Sequence, residues 1–191
     1  ALKGNDVTNG YILLATACDG TLATTAQFTS IRVVCNNTLA VALANGNRGV
    51  VKVPHNTSFD AQAVKKQLGI SVSAWDEFMY GLKNLSERKV KPAEAQNYVW
   101  RVFNDGSNKS STSSSNERAM AKVMTLFDGS GQGSDLASAK GTAFGLLNSI
   151  TEFVDHERRA LNPDNRLDSA WFGQGAAIKQ KALDEALLMI A

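Results

Sequence analysis

Residues 30–60, SIRVVCNNTLAVALANGNRGVVKVPHNTSFD, decide how the chain is read. Residues before this stretch are patterned with period two, and residues after Ser58 with period 3.6. The stretch opens as an apolar run carrying Arg32, then meets Cys35, Asn36, Asn37 and Thr38. A strand over residues 29–35 sets Ile31, Val33 and Cys35 on one face and Arg32 and Val34 on the other. Asn36, Asn37 or Thr38 suits a helix N-cap, because a short side-chain oxygen accepts an unpaired amide hydrogen. Leu39, Ala42 and Leu43 follow at helical spacing and Asn45-Gly46 ends the segment, so a short helix is predicted there. Val51 and Val53 then alternate with Lys52 as in a half-buried strand, which Pro54 stops.

Outward from this stretch the two halves separate. Upstream, NGYILLATACDG predicts a strand over residues 11–17, and Asp19-Gly20 turns it into TTAQFTSIRVV. Downstream, helices are predicted in SFDAQAVKKQLGI, stopped at Gly69, and in SVSAWDEFMYGLKNLSERKV, capped by Ser73-x-x-Asp76. KPAEAQNYVWRVF places Pro92 in a first turn, and ERAMAKVMTLF is a further helix. The longest periodic segment runs from Leu136 to Leu161, with Phe144, Leu147, Ile150, Phe153 and Val154 on one stripe. NPDN interrupts it before one or two closing helices. The fold class is α+β: a small antiparallel sheet near the N-terminus followed by a mostly helical body. One domain covers residues 1–191, strand-rich over 1–57 and helical over 58–191. Flexible loops are expected at 104–116, which has no apolar residue, and at the glycine-rich 128–135.

Composition narrows the function classes. The 20 Lys and Arg against 18 Asp and Glu exclude a strongly cationic chain, so any basic face has to come from local clustering. Cys18 and Cys35 sit in apolar runs and read as core thiols in a reducing compartment. Together with two histidines they give no zinc-ligand spacing, and no cofactor is implied. No apolar run approaches the roughly 20 residues that span a bilayer, so no membrane partner is expected. The opening ALKGNDVTNG has neither signal-peptide character nor an initiator Met. The expectation is a cytoplasmic chain lacking an upstream region.

Candidate chemistry lies in a few clusters. Arg32, Lys52 and His55 read either as the lining of a groove for a phosphate backbone, or as an arginine paired with a carboxylate and a histidine satisfied at a strand end. DGSGQGSD lacks the Lys-Ser/Thr of a phosphate loop and reads as a hinge. In TEFVDHERR, Glu152 shares a helix face with Asp155 and His156. A metal reading needs a second copy of such a motif, which the sequence lacks; the alternative is a polar helix end with Arg158 and Arg159 at the negative end of the helix dipole. Arg158, Arg159 and Arg166 are followed by Trp171 and Phe172 and by GQGAAIKQK, which carries Lys179 and Lys181. Cations interleaved with rings suit a single strand of nucleic acid, phosphates on the cations and bases on the rings. The competing reading places both rings in the core. No Ser-His-Asp or Cys-His arrangement emerges, and no catalytic residue is assigned.

RVVCNNTL, KVPHNTSFD, GTAFGLLNSITEFVDHERR and DNRLDSAWFGQGAAIKQKAL together resemble the phage/plasmid-like protein family, prophage- and plasmid-borne proteins classed as a domain of unknown function. The resemblance covers residues 10–190 and implies a mobile-element setting without catalytic residues. The order of sheet then helices is also similar to that of phage single-strand annealing proteins. The leading expectation is non-catalytic nucleic-acid binding, single-strand DNA annealing in particular, by an oligomer of this chain, through Arg32, Lys52, Arg158, Arg159, Arg166, Trp171, Lys179 and Lys181. The alternatives are a factor that binds a host protein and a metal-dependent enzyme.

Overall fold

The structure is a computed structural model and describes residues 1–20, 22–40, 50–68, 72–104 and 114–191. Its four strands all precede residue 54: β1 Thr8–Ala15, β2 Thr24–Arg32, β3 Asn37–Ala40 and β4 Val50–Val53. Every pairing is antiparallel and involves β2. β1 lies along the whole of one side, from Thr8↔Arg32 to Ala15↔Thr25. β3 and β4 share the other side end to end, through Arg32↔Asn37 and Thr25↔Lys52. β2 is therefore the central strand and is buried along most of its length.

The turn between β2 and β3 corrects one expectation. Asn36 and Asn37 do not cap a helix. Asn36 takes a left-handed φ of 54°, which asparagine tolerates better than most residues, and its amide donates to Arg32 O at 2.8 Å. The chain thereby reverses, and Asn37–Ala40 pairs as a strand. Sheet pairing has overridden a helical period carried by only a few residues. The remainder of that predicted helix, residues 41–49, lies outside the described residues.

Seven α-helices follow among the described residues: α1 Ala61–Leu68, α2 Val72–Glu87, α3 Pro92–Phe103, α4 Ser114–Thr125, α5 Ala143–Glu152, α6 Pro163–Trp171 and α7 Gln174–Leu187. Several begin on local chemistry at their first turn. Asp60 Oδ1 accepts from the amides of Gln62 and Ala63, Pro92 occupies the first turn of α3, and Asn162 Oδ1 accepts from Asn165 N at 2.7 Å just before Pro163. α2 starts at Val72, so Ser73 lies inside the helix rather than capping it. The predicted stop at Gly69 and residues 105–113 of the predicted loop are outside the described residues; Ser114–Asn116 already belong to α4.

The long segment predicted from Leu136 starts as helix only at Ala143. Thr142 caps it, its Oγ1 accepting from Gly145 N at 3.0 Å, and Gly141 before it has a φ of +65°. All ten residues of α5 are buried, which makes it the central helix of the body. Its last turn widens into a π-helical turn, Phe153–Glu157, and α4 ends in another, Leu126–Ser130. The core joins Phe28 and Leu39 of the sheet to Leu82, Leu85, Tyr98, Val99, Leu146, Leu147, Ile150 and Leu183 of the helices.

Strand alternation assigns the two sheet faces. Ala26, Phe28, Ser30 and Arg32 of β2 share a face with Leu39 and Val51, on which α1, α2 and α5 pack. Gln27 and Thr29 share the other face with Thr38, Ala40, Val50 and Lys52, and here the end of α6 and the start of α7 approach the sheet.

Candidate nucleic-acid interface

The basic residues fall into two groups, those neutralised by carboxylates and those held by neutral partners. Arg32 belongs to the first. It is 3% exposed, and its Nε and Nη2 donate to Asp6 at 2.9 and 2.8 Å. Ser138 Oγ also donates to Asp6, Arg32 Nη2 reaches Gly133 O at 3.1 Å, and the guanidinium lies 5.1 Å from the Phe144 ring centre. The carboxylate-paired reading of Arg32 is the one realised. Asp6, in a polar opening segment without periodicity, gave no sign of this role. In the glycine-rich segment Gln132 N donates to both oxygens of Glu152 at 3.1 Å, and residues 131–141 are a run of turns and bends.

Lys179 is also in the first group. It is 4% exposed, and its Nζ donates to Asp155 Oδ1 at 2.7 Å and to Thr38 Oγ1 at 2.6 Å. Asp155 Oδ2 in turn accepts from the amide and hydroxyl of Thr38 at 2.7 and 2.9 Å. Burial pushes the Lys179 pKa down from its ordinary value, and the charge of Asp155 opposes that shift. The cluster clamps α7 to β3 and to the π-helical turn after α5. Lys181 Nζ donates to Asn104 O at 3.2 Å, at the end of α3. The two lysines thus depart from the predicted basic surface, because the body of α7 packs inside the molecule. The metal reading loses its ligands in the same way. Glu152 and Asp155 are engaged as described, and His156 Nε2 lies 3.1 Å from Cys35 O. Among the described residues no three His, Cys, Asp or Glu side chains are grouped to hold a metal ion.

The second group gathers at the corner between α6 and α7. Arg158 Nη1 donates to Ser169 Oγ at 2.9 Å, and its Nη2 donates to Gln174 Oε1. Arg166 Nη1 donates to His156 O at 2.8 Å. Arg159 is exposed. Asp164 and Asp168 of α6 form no ion pair with these arginines; among the described residues none of the three has a carboxylate partner. All three arginines line one concavity of about 370 Å³, whose floor includes Val154, Ala160 and Ser169. At the start of α7 the amides of Gly173 and Gly175 are already engaged. Their N–H groups donate to Asp168 O and Ser169 O, and to Ser169 Oγ.

On the other side of the same corner, Trp171, Phe172 and Gly173 face Gln27, Val50 and Lys52 across a groove of about 310 Å³. Lys52 is exposed, Trp171 and Phe172 are half-buried, and Lys179 Nζ lies 5.6 Å from the centre of the Trp171 ring. The structure therefore brings together Lys52 with Trp171, and Arg158 with Arg159 and Arg166, about one helix corner. Arg32 and Lys52 lie on opposite sheet faces. His55 sits at the sheet end with Nε2 2.8 Å from Leu22 O. Sequence reading missed Ser169 and Gln174, which hold Arg158, and Gln27 and Gln180, which complete the groove; an isolated polar residue in a strand or helix carries no signal of what it will meet.

The family comparison bears on this geometry. The family model described as Domain of unknown function (DUF932) matches residues 1–171. The chain belongs to this family. No curated protein and no solved structure matches it. The matched span includes the four strands of the described residues, the three arginines and Trp171, and it stops three residues before Gln174, where α7 begins. No helix among the described residues is long and apolar enough to cross a membrane.

Proposed function

We propose that this protein binds single-stranded nucleic acid without catalysing a reaction on it, as an annealing or strand-coating factor of a mobile element. The observation that carries the reading is electrostatic. Arg158 and Arg166 are fixed in place by a hydroxyl, an amide oxygen and a backbone carbonyl, all neutral, so their positive charge stays uncompensated. Guanidiniums preorganised in this way lose little freedom on meeting a phosphate and have no carboxylate to displace. The adjoining groove sets an exposed cation, Lys52, opposite two half-buried rings, the pairing that takes a backbone phosphate and a stacked base. A duplex keeps its bases stacked on one another, so a ring-lined groove favours a single strand, whose bases are free to stack on the rings.

The test is a fluorescence anisotropy titration with labelled single- and double-stranded oligonucleotides at about 50 and 200 mM salt. The expected result is tighter binding of the single strand, with an affinity that falls by about 0.7 logarithmic units per tenfold rise in salt for each phosphate contacted. Absence of binding at the lower salt would rule the reading out. A second reading, a protein-binding factor, is favoured by one observation: β1 exposes Tyr11, Ile12 and Leu14 along a sheet edge that is unpaired among the described residues. Absence of DNA binding together with capture of a partner that Leu14→Lys abolishes would support it.

A further inference from the structure

The two halves of the α6–α7 corner differ in shape and charge, and the difference points to a specific end of the ligand. The groove beside Lys52 has one exposed cation and two rings. The concavity beside it has three arginines drawn to one place. Arg158 and Arg166 are anchored from separate elements, one just past the π-helical turn and one inside α6, so their convergence is a product of tertiary packing. Arg166 Nε is fully buried and has no hydrogen-bond partner, although Nη1 of the same group is satisfied by His156 O. A guanidinium is a rigid fork of donors, and leaving one of them unpaired inside the protein is costly unless a ligand draws the fork into use. Ser169, whose Oγ accepts from both Arg158 and Gly175 N, lines the same concavity.

An internal phosphodiester carries a single negative charge and would leave most of this charge unanswered. A phosphate monoester carries about −1.5 to −2 at pH 7 and presents three oxygens rather than two. We infer that the concavity of Arg158, Arg159 and Arg166 is a site for a terminal phosphate, the monoester at the end of a nucleic-acid strand whose neighbouring base lies in the Lys52–Trp171 groove. This rests on the nucleic-acid reading above and adds to it a preference for phosphorylated ends.

The experiment compares two oligonucleotides of one sequence, about a dozen nucleotides long and labelled at the 3′ end, one with a 5′-phosphate and one with a 5′-hydroxyl, matched by a pair labelled at the 5′ end that differ in a 3′-phosphate or 3′-hydroxyl. Inorganic phosphate is titrated separately as a competitor. The expected result is about tenfold tighter binding of one phosphorylated end, the effect of one additional charge-assisted contact. That preference should vanish in Arg158→Gln and in Arg166→Gln, which lower affinity for both strands but bring the ratio of the two affinities to about one. Equal affinity for phosphorylated and unphosphorylated ends in the wild-type protein overturns the inference while leaving strand binding intact. Binding of inorganic phosphate with no binding of any oligonucleotide overturns both readings and assigns the site to a free anion. The wild-type comparison needs no substitution, so it decides the matter even where a variant fails to fold.

Discussion

At the scale of single residues, the buried charges are the points where the fold is most exposed to damage. Asp6 and Arg32 are both nearly inaccessible, and neither can be lost without leaving the other charge unpaired in the interior. Asp6→Ala is expected to lower the unfolding free energy by about 3–5 kcal/mol, and adding Arg32→Met to recover much of it. Chemical denaturation of both variants checks this; a double mutant as unstable as the single would show that the pair contributes more than charge compensation. Two buried groups set the alkaline limit. Burial raises the pKa of Cys35 above its ordinary 9.0 and that of Tyr98 above its ordinary 10.0. The unfolded chain releases these protons first, so the folded state loses stability as pH rises past those ordinary values. Lys179 runs the other way, since its lowered pKa makes the folded state release a proton before the unfolded chain does at 10.5, and stability gains from it with rising pH up to that value. The Tyr98 hydroxyl also donates to Ala182 O at 2.7 Å. Tyr98→Phe is therefore expected to cost about 1 kcal/mol at pH 7, with a shallower decline between about pH 9 and 11 than the wild type shows in urea unfolding.

At the scale of elements, α5 and β1 mark opposite extremes of packing. α5 is buried on every side, and the chain passes so close that a Cβ added at Gly145 would stand 2.0 Å from Ala139 O. Alanine normally gains about 1 kcal/mol over glycine inside a helix. Here the clash wins, and Gly145→Ala is expected to lower the denaturation midpoint by an amount equivalent to about 1–3 kcal/mol or more. An unchanged or raised midpoint would mean that the turn before α5 yields easily. β1 is the reverse case, an edge strand of eight residues with no Lys, Arg or Pro to discourage pairing with another chain. Leu14 is 62% exposed, so Leu14→Lys should leave thermal stability within about 0.5 kcal/mol of wild type and reduce self-association in sedimentation velocity. Unaltered sedimentation of an associating wild type would place the contact elsewhere.

At the scale of the whole molecule, the boundary of the family match and the boundary of the fold do not coincide. The match ends at Trp171, yet α7 contributes Ala182, Leu183 and Ala186 to the core, receives the Tyr98 hydroxyl and supplies the lysine that neutralises Asp155. A chain ended at Trp171 is expected to lose its cooperative thermal transition by circular dichroism, because it would expose one side of α5 and strand a buried carboxylate. A cooperative transition near the wild-type midpoint would show that α7 only lies against a self-sufficient body.

The sequence alone determined the order of sheet then helices, because period-two and period-3.6 patterning report which side chains face a core and need no partner to be recognised. It also determined the start of α3, because the fixed φ and missing amide hydrogen of Pro92 suit a first helical turn without any tertiary partner. Asn37–Ala40 was decided by β2, which offered a ladder of backbone partners to a segment with weak preference of its own. The fate of each cation was likewise tertiary. Arg32 and Asp6 are 26 residues apart, Lys179 and Asp155 are 24 apart, and Arg158 and Gln174 are 16 apart. Whether an arginine meets a carboxylate or a neutral oxygen depends on which elements pack together, and local pattern carries no record of that. The uncompensated charge of the arginines at the α6–α7 corner was left there by the tertiary packing.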